Sequence, residues 1–275
     1  MTMRFGERPY IMGILNVTPD SFSDGGDFFE GGRAVEHALE MVEAGADLLD
    51  IGGESTRPGS EPVAAEDEIA RVVPVIEQVA KYATVPISID TTKARVAEAA
   101  IAAGAALVND VSALRFDPEM GKLVATAAVP LVVMHMKGEP KTMQAKPIVY
   151  SDLMSEIRSF LEEVLVTAER AGIARERIII DPGIGFGKQP EHNLTILKRL
   201  SELAVMDRPI LVGVSRKAFI GQVLGVEAKE RIFGTAAAVA AAVMAGAQII
   251  RVHDVAQLSQ VARMSWAINT QKLPN

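Results

Sequence analysis

Ionisable and amide side chains recur in this sequence at one kind of place, the end of a short apolar run. Asn16 closes the run that starts at Tyr10, and Asp50 with Glu54 follows the run from Leu48. Asp90, Asn109-Asp110, His135 and Asp181 close the next four, Ser215-Arg216-Lys217 follows the seventh, and Arg251 and His253 close the eighth. Each has a plainer reading. Asp90, before Thr91-Thr92-Lys93, could cap a helix, Asp181 in Asp-Pro-Gly could start a turn, and Asn109-Asp110 could be a turn. His135 could be a core histidine and Lys217 a surface lysine. Taken together they are a mixture that caps and turns do not require. Carboxylates, amides, a lysine, an arginine and histidines gathered at one place make a charged pocket, which is costly to bury unless a complementary ligand meets it.

Three loops add to the set. Thr18–Gly26 is rich in turn formers, ends in a glycine pair that could hinge, and holds Phe22 where a ring could close over a ligand. Gly52–Gly59 combines Ser55, Thr56 and Arg57 with glycines and Pro58, equipment for holding an anion such as phosphate. Gly183–Lys188 lacks the spacing of a dinucleotide loop, and its glycines around Phe186 would let an aromatic ring line a flat ligand.

The elements that must position these residues follow one rhythm. Apolar runs at Tyr10–Val17, Leu48–Gly53, Val85–Asp90, Ala106–Asp110, Val129–His135, Arg177–Asp181, Pro209–Val214 and Gln248–Val252 suit strands buried on both faces of a parallel sheet. Helical spacing marks Ala34–Ala44, Glu66–Tyr82, Lys93–Ala103, Pro118–Ala127, Ser151–Ala171, Pro190–Val205, Glu230–Ala245 and Val255–Thr270. Gly45, Gly104, Gly172 and Gly246 are helix stops just ahead of a strand. Eight strand–helix units in this length are the arithmetic of an α/β fold of the (β/α)8 TIM barrel type, one domain over residues 1–275. In a barrel the carboxyl ends of the strands converge on one face, where active sites are built. A doubly wound open sheet is the alternative, weakened because neither G-x-G-x-x-G nor a P-loop lysine follows the first strand.

Composition narrows the function classes. The 275 residues are 49% hydrophobic and 23% charged, with net charge −7 and no cysteine, which excludes disulfides, zinc–thiolate sites and thiol nucleophiles. An acidic chain with no basic run and 5% aromatics does not point to nucleic acid. No run approaches the roughly 20 residues of a membrane span, and the first residues lack the apolar core of a signal peptide. The expectation is a cytoplasmic protein with neither nucleic-acid nor membrane partners.

The motifs resemble one family along essentially the whole chain. Ile14–Gly26 (ILNVTPDSFSDGG), Asp50–Gly59 (DIGGESTRPG), Ser88–Thr91 (SIDT), Val108–Val111 (VNDV), Val133–Gly138 (VMHMKG), Asp181–Gly187 (DPGIGFG), Val214–Lys217 (VSRK) and Arg251–His253 (RVH) look like dihydropteroate synthase. The resemblance implies a cytoplasmic, homodimeric (β/α)8 transferase of folate biosynthesis. Such an enzyme joins 7,8-dihydropterin-6-ylmethyl diphosphate to 4-aminobenzoate, releases pyrophosphate with Mg2+ present, and is a sulfonamide target.

By that resemblance Asp181 and Asn109 hold the pyrimidinone edge of the pterin, Asp90 meets its reactive side, and Lys217 donates to the carbonyl and ring nitrogen. Met134 and Phe186 line the ring and Arg251 stacks on it, a planar cation suiting an aromatic face. Asn16 is the magnesium ligand, a neutral oxygen that leaves coordination sites to water and phosphate. Thr56, Arg57, Arg251 and His253 contact the diphosphate. Phe22, Pro58, Ser215 and Lys217 form the aminobenzoate pocket. The chemistry expected is dissociative: the C–O bond breaks first and Asp90, with Asp24 of the first loop, stabilises the pterin-methyl cation. Asp90, Lys217, Arg251 and Asp24 are thus the expected catalytic set. Asp50 and Glu54 are expected to hold the second loop or the barrel rim, and His135 to be structural. The Ala- and Val-rich stretch Thr235–Gly246 has small side chains suited to packing against the barrel, and the resemblance implies a dimer face on late helices. A pterin-binding methyltransferase on the same barrel and a non-catalytic pterin-binding paralogue are the competing readings.

Overall fold

The computed structural model describes residues 5–18, 27–55, 60–138 and 148–273, with backbone alone for residues 27–31. Eight parallel strands are β1 (Tyr10–Asn16), β2 (Leu48–Gly52), β3 (Ile87–Asp90), β4 (Leu107–Asp110), β5 (Leu131–Met134), β6 (Ile178–Asp181), β7 (Leu211–Gly213) and β8 (Ile249–Val252). They run in the order β6-β5-β4-β3-β2-β1-β8-β7. The remaining gap is closed by a parallel bridge between Ile180 and Ile210, with Ile180 N donating to Pro209 O at 2.9 Å. The sheet is therefore a barrel, not the open sheet.

Helices α1 (Asp27–Glu43), α2 (Ala65–Tyr82), α3 (Ala94–Ala103), α4 (Met120–Ala127), α5 (Leu153–Arg170), α6 (Pro190–Arg199), α7 (Ala218–Leu224), α8 (Ile232–Met244) and α9 (Val255–Thr270) surround it. Gly45, Gly104, Gly172 and Gly246 have φ between +94° and +122°, a conformation that side chains resist, so they end their helices as expected. Some elements differ from the sequence reading, among them α1, which begins at Asp27 and not at Ala34. The segment from Pro190 is α-helical only to Arg199 and continues as a 3-10 helix over Leu200–Met206. The seven-residue α7 was not anticipated: it has fewer than two helical repeats, too few to display periodicity.

Strand period decides what faces the barrel axis. One inner cluster is apolar: Tyr10, Met12, Leu48, Leu107, Val132, Ile179, Leu211 and Ile249. Side chains two residues further along a strand share its face. Stepping by two from Leu48, Leu107, Val132, Ile179 and Ile249 reaches Asp50, Asn109, Met134, Asp181 and Arg251. The alternate residues Leu49, Ile51, Ile89, Val108, Leu131, Val133, Ile178, Ile180, Val212 and Ile250 pack outward in the larger core beneath the helices. An apolar plug thus fills the lower barrel, and a polar layer rests on it at the carboxyl ends of the strands.

Candidate active site

The registers of the sheet bring the polar layer together. Asp90 pairs across from Gly52 and from Asn109, Met134 from Asp181, and Arg251 from Met12 and Gly213. The centre is an ionic cluster. Arg251 donates from Nε to Asp50 Oδ2 at 2.5 Å and from Nη2 to Asp90 Oδ2 at 2.7 Å. Asn109 Nδ2 donates to the same Asp50 oxygen at 2.9 Å. Asp50 is fully buried, which corrects its expected place on the rim: it lies inside the barrel and fixes both Arg251 and Asn109.

One guanidinium between two buried carboxylates leaves excess negative charge, and Asp50 Oδ1 and Asp90 Oδ1 have no hydrogen-bond partner among the described residues. Unpaired buried oxygens of this kind are costly and are satisfied by a ligand that brings donors. The electrostatics follow from burial. Burial pushes the Asp90 carboxyl up, against the lowering effect of Arg251, with Asp50 and Glu68 adding to the rise. Burial likewise raises Asp181 to about 6, opposed by a hydrogen bond from Gly183 N (2.6 Å) and by the charge of Lys217. Strongly perturbed carboxylates in a cleft are the mark of a functional site.

The wall beside Asp181 is apolar. Met134, Met136 and Val111 are buried with Phe186 packed on them. Lys217 Nζ lies 4.2 Å from the centre of the Phe186 ring, a cation–π contact at the pocket. Gly183 has φ +70° and its added Cβ would fall 1.9 Å from His135 O, so a glycine is required for this loop to lie flush on the chain leaving β5. Ser215, expected in the aminobenzoate pocket, is buried, with its hydroxyl 3.0 Å from His253 Nδ1 and accepting from His253 N. It is placed to orient His253. Asn16 is half-buried at the end of β1, and its side chain takes no hydrogen bond among the described residues.

Residues of the polar layer are joined by supports at the rim. Glu54 accepts from Val63 N at 3.1 Å and from Lys93 Nζ, and Lys93 also donates to the buried Glu68 at 2.6 Å, so Glu54 ties the chain leaving β2 to the segments before α2 and α3. Asp110 accepts from Ser112 N, Ser112 Oγ and Leu114 N, fixing the turn after β4. His135 is buried with its ring edge-on to Phe160, and burial pushes it down to about 2, so it is a neutral structural residue. Phe22, Asp24, Thr56, Arg57 and Pro58 lie outside the described residues. Sequence reasoning named Asp50 only as a support of the second loop or the rim, and it missed Lys93 and the buried Lys188. With Leu48 and Leu49 equally apolar, no alternation marked Asp50 as inward-facing, and for the lysines no local signal existed.

Comparison with known proteins narrows the chemistry. Residues 12–253 match the family described as "Pterin binding enzyme". The dihydropteroate synthase of Synechocystis sp. is 46% identical over 265 residues, covering 96% of this chain and 91% of the relative. That of Escherichia coli K12 is 46% identical over 264 residues, 96% and 93% of the two chains. Among solved structures, dihydropteroate synthase from Clostridium difficile in the presence of pteroic acid superposes with a TM-score of 0.92 at 45% identity, covering 97% of this chain and 99% of that one. The Xanthomonas albilineans enzyme with 4-aminobenzoic acid does so with a TM-score of 0.90 at 46% identity, covering 97% and 94%. With the family matched over residues 12–253, this identity over nearly the whole chain and this superposition of the barrel, the chain belongs to the pterin-binding enzyme family and, within it, to the dihydropteroate synthases.

Proposed function

We propose that this protein condenses 7,8-dihydropterin-6-ylmethyl diphosphate with 4-aminobenzoate to give 7,8-dihydropteroate and pyrophosphate. The observation that carries the reading is the acceptor layer of Asp90, Asn109 and Asp181 on the apolar plug, with Arg251 and Lys217 at its edge. A pterin presents an edge of N–H donors beside one carbonyl. Asp181 and Asn109 accept and donate along that edge, Lys217 donates to the carbonyl, and Met134 and Phe186 cover the ring.

The first step breaks the bond between the exocyclic carbon and the diphosphate oxygen, and the electron pair leaves with the diphosphate. Arg251 and His253, with Thr56 and Arg57, receive that charge by donating hydrogen bonds to the departing oxygens, a favourable electrostatic contribution as the charge develops. The carbon is left as a cation delocalised into the pterin, facing the carboxylate of Asp90 inside a cluster already short of positive charge. The neutral amine of 4-aminobenzoate then forms the new C–N bond and releases a proton. An arylamine is weakly basic and uncharged at neutral pH, so no strong base is needed. Phe22, Pro58 and Lys217 are the proposed aminobenzoate pocket, with Ser215 contributing there through His253, Asp24 a second stabiliser of the cation, and sulfonamides the inhibitors expected to compete there.

Magnesium fits the donor set as a guest of the diphosphate. The described residues hold no group of three or more histidines and carboxylates that could cage a metal, whereas Asn16 offers one neutral oxygen at the mouth. When bound, the ion would neutralise charge on the departing diphosphate. We also infer a cytoplasmic homodimer acting as one barrel domain over residues 1–275. Support for the dimer is the exposed apolar side chains Val223, Leu224, Phe233, Met244, Met264 and Ile268 on α7, α8 and α9, helices that pack one against the next. No helix among the described residues is long and apolar enough to cross a membrane.

The test is pyrophosphate release on mixing both substrates, with and without magnesium. Release that needs both supports the reading. Pterin binding without release would leave a non-catalytic pterin-binding protein.

A further inference from the structure

Lys188 is a buried lysine with no part in the chemistry above. It is 4% exposed, and its ammonium is spent on three acceptors: His135 Nδ1 at 2.9 Å, His135 O at 3.2 Å and Phe186 O at 3.0 Å. The first two belong to the chain leaving β5 and the third to the glycine loop leaving β6. An ammonium has three donors, so this environment satisfies it completely. A buried cation without such partners would be expelled or neutralised.

The two segments it joins lie in contact along their length. A Cβ at Gly183 would strike His135 O, and one at Gly187 would lie 2.2 Å from Lys137 O. Tyr150 Oη donates to Gly187 O at 2.7 Å and Gly185 N to Asn193 Oδ1 at 2.8 Å, so the loop is fixed on its outer side too. Lys188 reaches the carbonyl of Phe186 itself, the residue whose ring packs on Met134 and lies under Lys217 Nζ.

We propose that Lys188 is a positioning residue for the pterin site: its ammonium ties the glycine loop after β6 to the end of β5, fixing the Phe186 ring and the Lys217 ammonium over it. The proposal rests on the pterin reading of this pocket. Its charge has a second effect. Asp181 and Lys217 act on Lys188 from the pocket side, and Lys217, Lys188 and Arg251 all draw Asp181 toward its ionised form. Arg115 and Lys137 act with Lys188 on His135, which stays neutral. Burial lowers Lys188 to about 7, so its charge is sensitive to what surrounds it. Lys188 thus helps keep Asp181 an acceptor for the donor edge of the ligand.

The experiment is fluorescence titration with 6-hydroxymethylpterin, which lacks the diphosphate, across a pH series. Lys188→Met is expected to weaken binding roughly tenfold or more, as misplacement of a binding surface does. It should also move the acid limb of binding to higher pH. Lys188→Gln, which keeps donors and loses the charge, should recover affinity at high pH and keep the displaced limb. Wild-type binding with unaltered affinity and limb in Lys188→Met would overturn the role of Lys188 alone. Failure of the wild-type protein to bind the pterin would overturn the pterin reading, and this role with it. Should Lys188→Met not fold, nitrogen-15 spectra of wild-type His135 decide. A neutral ring with its proton on Nε2 supports the ammonium donor, and a proton on Nδ1 overturns it.

Discussion

Arg251 and Asp50 meet through Nε and Oδ2 at 2.5 Å across 201 residues of sequence, one at the end of β8 and the other in the middle of β2. The same carboxylate oxygen receives Asn109, so Asp50 couples a pterin-edge amide to the guanidinium that reaches Asp90. Replacing it as Asp50→Asn keeps the shape and removes the charge. Arg251 keeps Asp90 as its counter-ion, so what is lost is a buried charge-assisted hydrogen bond, about 1.5–3 kcal/mol. Denaturant unfolding is expected to show a loss of that order, and pterin affinity to fall because Arg251 and Asn109 lose their common anchor. A variant with wild-type stability and affinity would show that Asp50 is not the anchor.

Asp90 faces the reactive side of the proposed pterin and shares Arg251 with Asp50. Its carboxylate matters most when positive charge develops, so Asp90→Asn separates binding from chemistry. Turnover is expected to fall roughly 100-fold or more while pterin affinity changes only a few-fold, the signature of an interaction made in the transition state. Stopped-flow binding beside steady-state pyrophosphate release measures both. Equal losses in the two would remove the cation-stabilising role.

The ends of the strands were legible in the sequence because a polar residue closing an apolar run interrupts a strong pattern; Asp90, Asn109 and Asp181 stand at strand ends in the fold. Which side of a strand faces the axis was not legible. Leu48 and Leu49, or Ile249 and Ile250, are equally apolar, because one packs in the plug and the other under helices. With both faces buried, no alternation survives to reveal that Asp50 points inward. Lys188 and Lys93 were invisible for a different reason. Their partners His135, Glu54 and Glu68 lie 25 to 53 residues away in sequence, and only the closed barrel brings them near.

The glycines after β6 give a steric prediction. At Gly183 a methyl group would meet backbone, with His135 O at 1.9 Å and φ at +70°, whereas at Gly185 it would meet Lys217 Cδ at 3.2 Å, part of a flexible chain. Gly183→Ala must therefore push the loop off β5, and Gly185→Ala can be met by a shift of Lys217 and mild strain. The first is expected to abolish pterin binding and lower stability by more than about 2 kcal/mol; the second should lose about 1 kcal/mol from its positive φ. Thermal unfolding with pterin titration checks the order, and a reversed order would show that the loop does not bear on β5.

Asp181 makes the pH dependence predictable in sign. Burial raises its carboxyl from 3.8 to about 6, so the folded protein holds this proton more tightly than the unfolded chain. Between those values the native state carries more protons, and the contribution of Asp181 to stability is present on the acid side and lost as pH rises through about 6. The pterin edge acts in the opposite direction, because its N–H donors need the ionised carboxylate as acceptor. Pterin affinity is therefore expected to fall below a pH of about 6, approaching tenfold per unit well below it. The thermal shift produced by 6-hydroxymethylpterin should in turn grow from about pH 5 to about pH 8. Asp181→Asn, which cannot ionise, should bind weakly and lose that growth. A ligand-induced shift that stays flat across the series in the wild-type protein would mean that Asp181 is not the acceptor, and the donor edge would then have to be sought at Asn109 and Asp90.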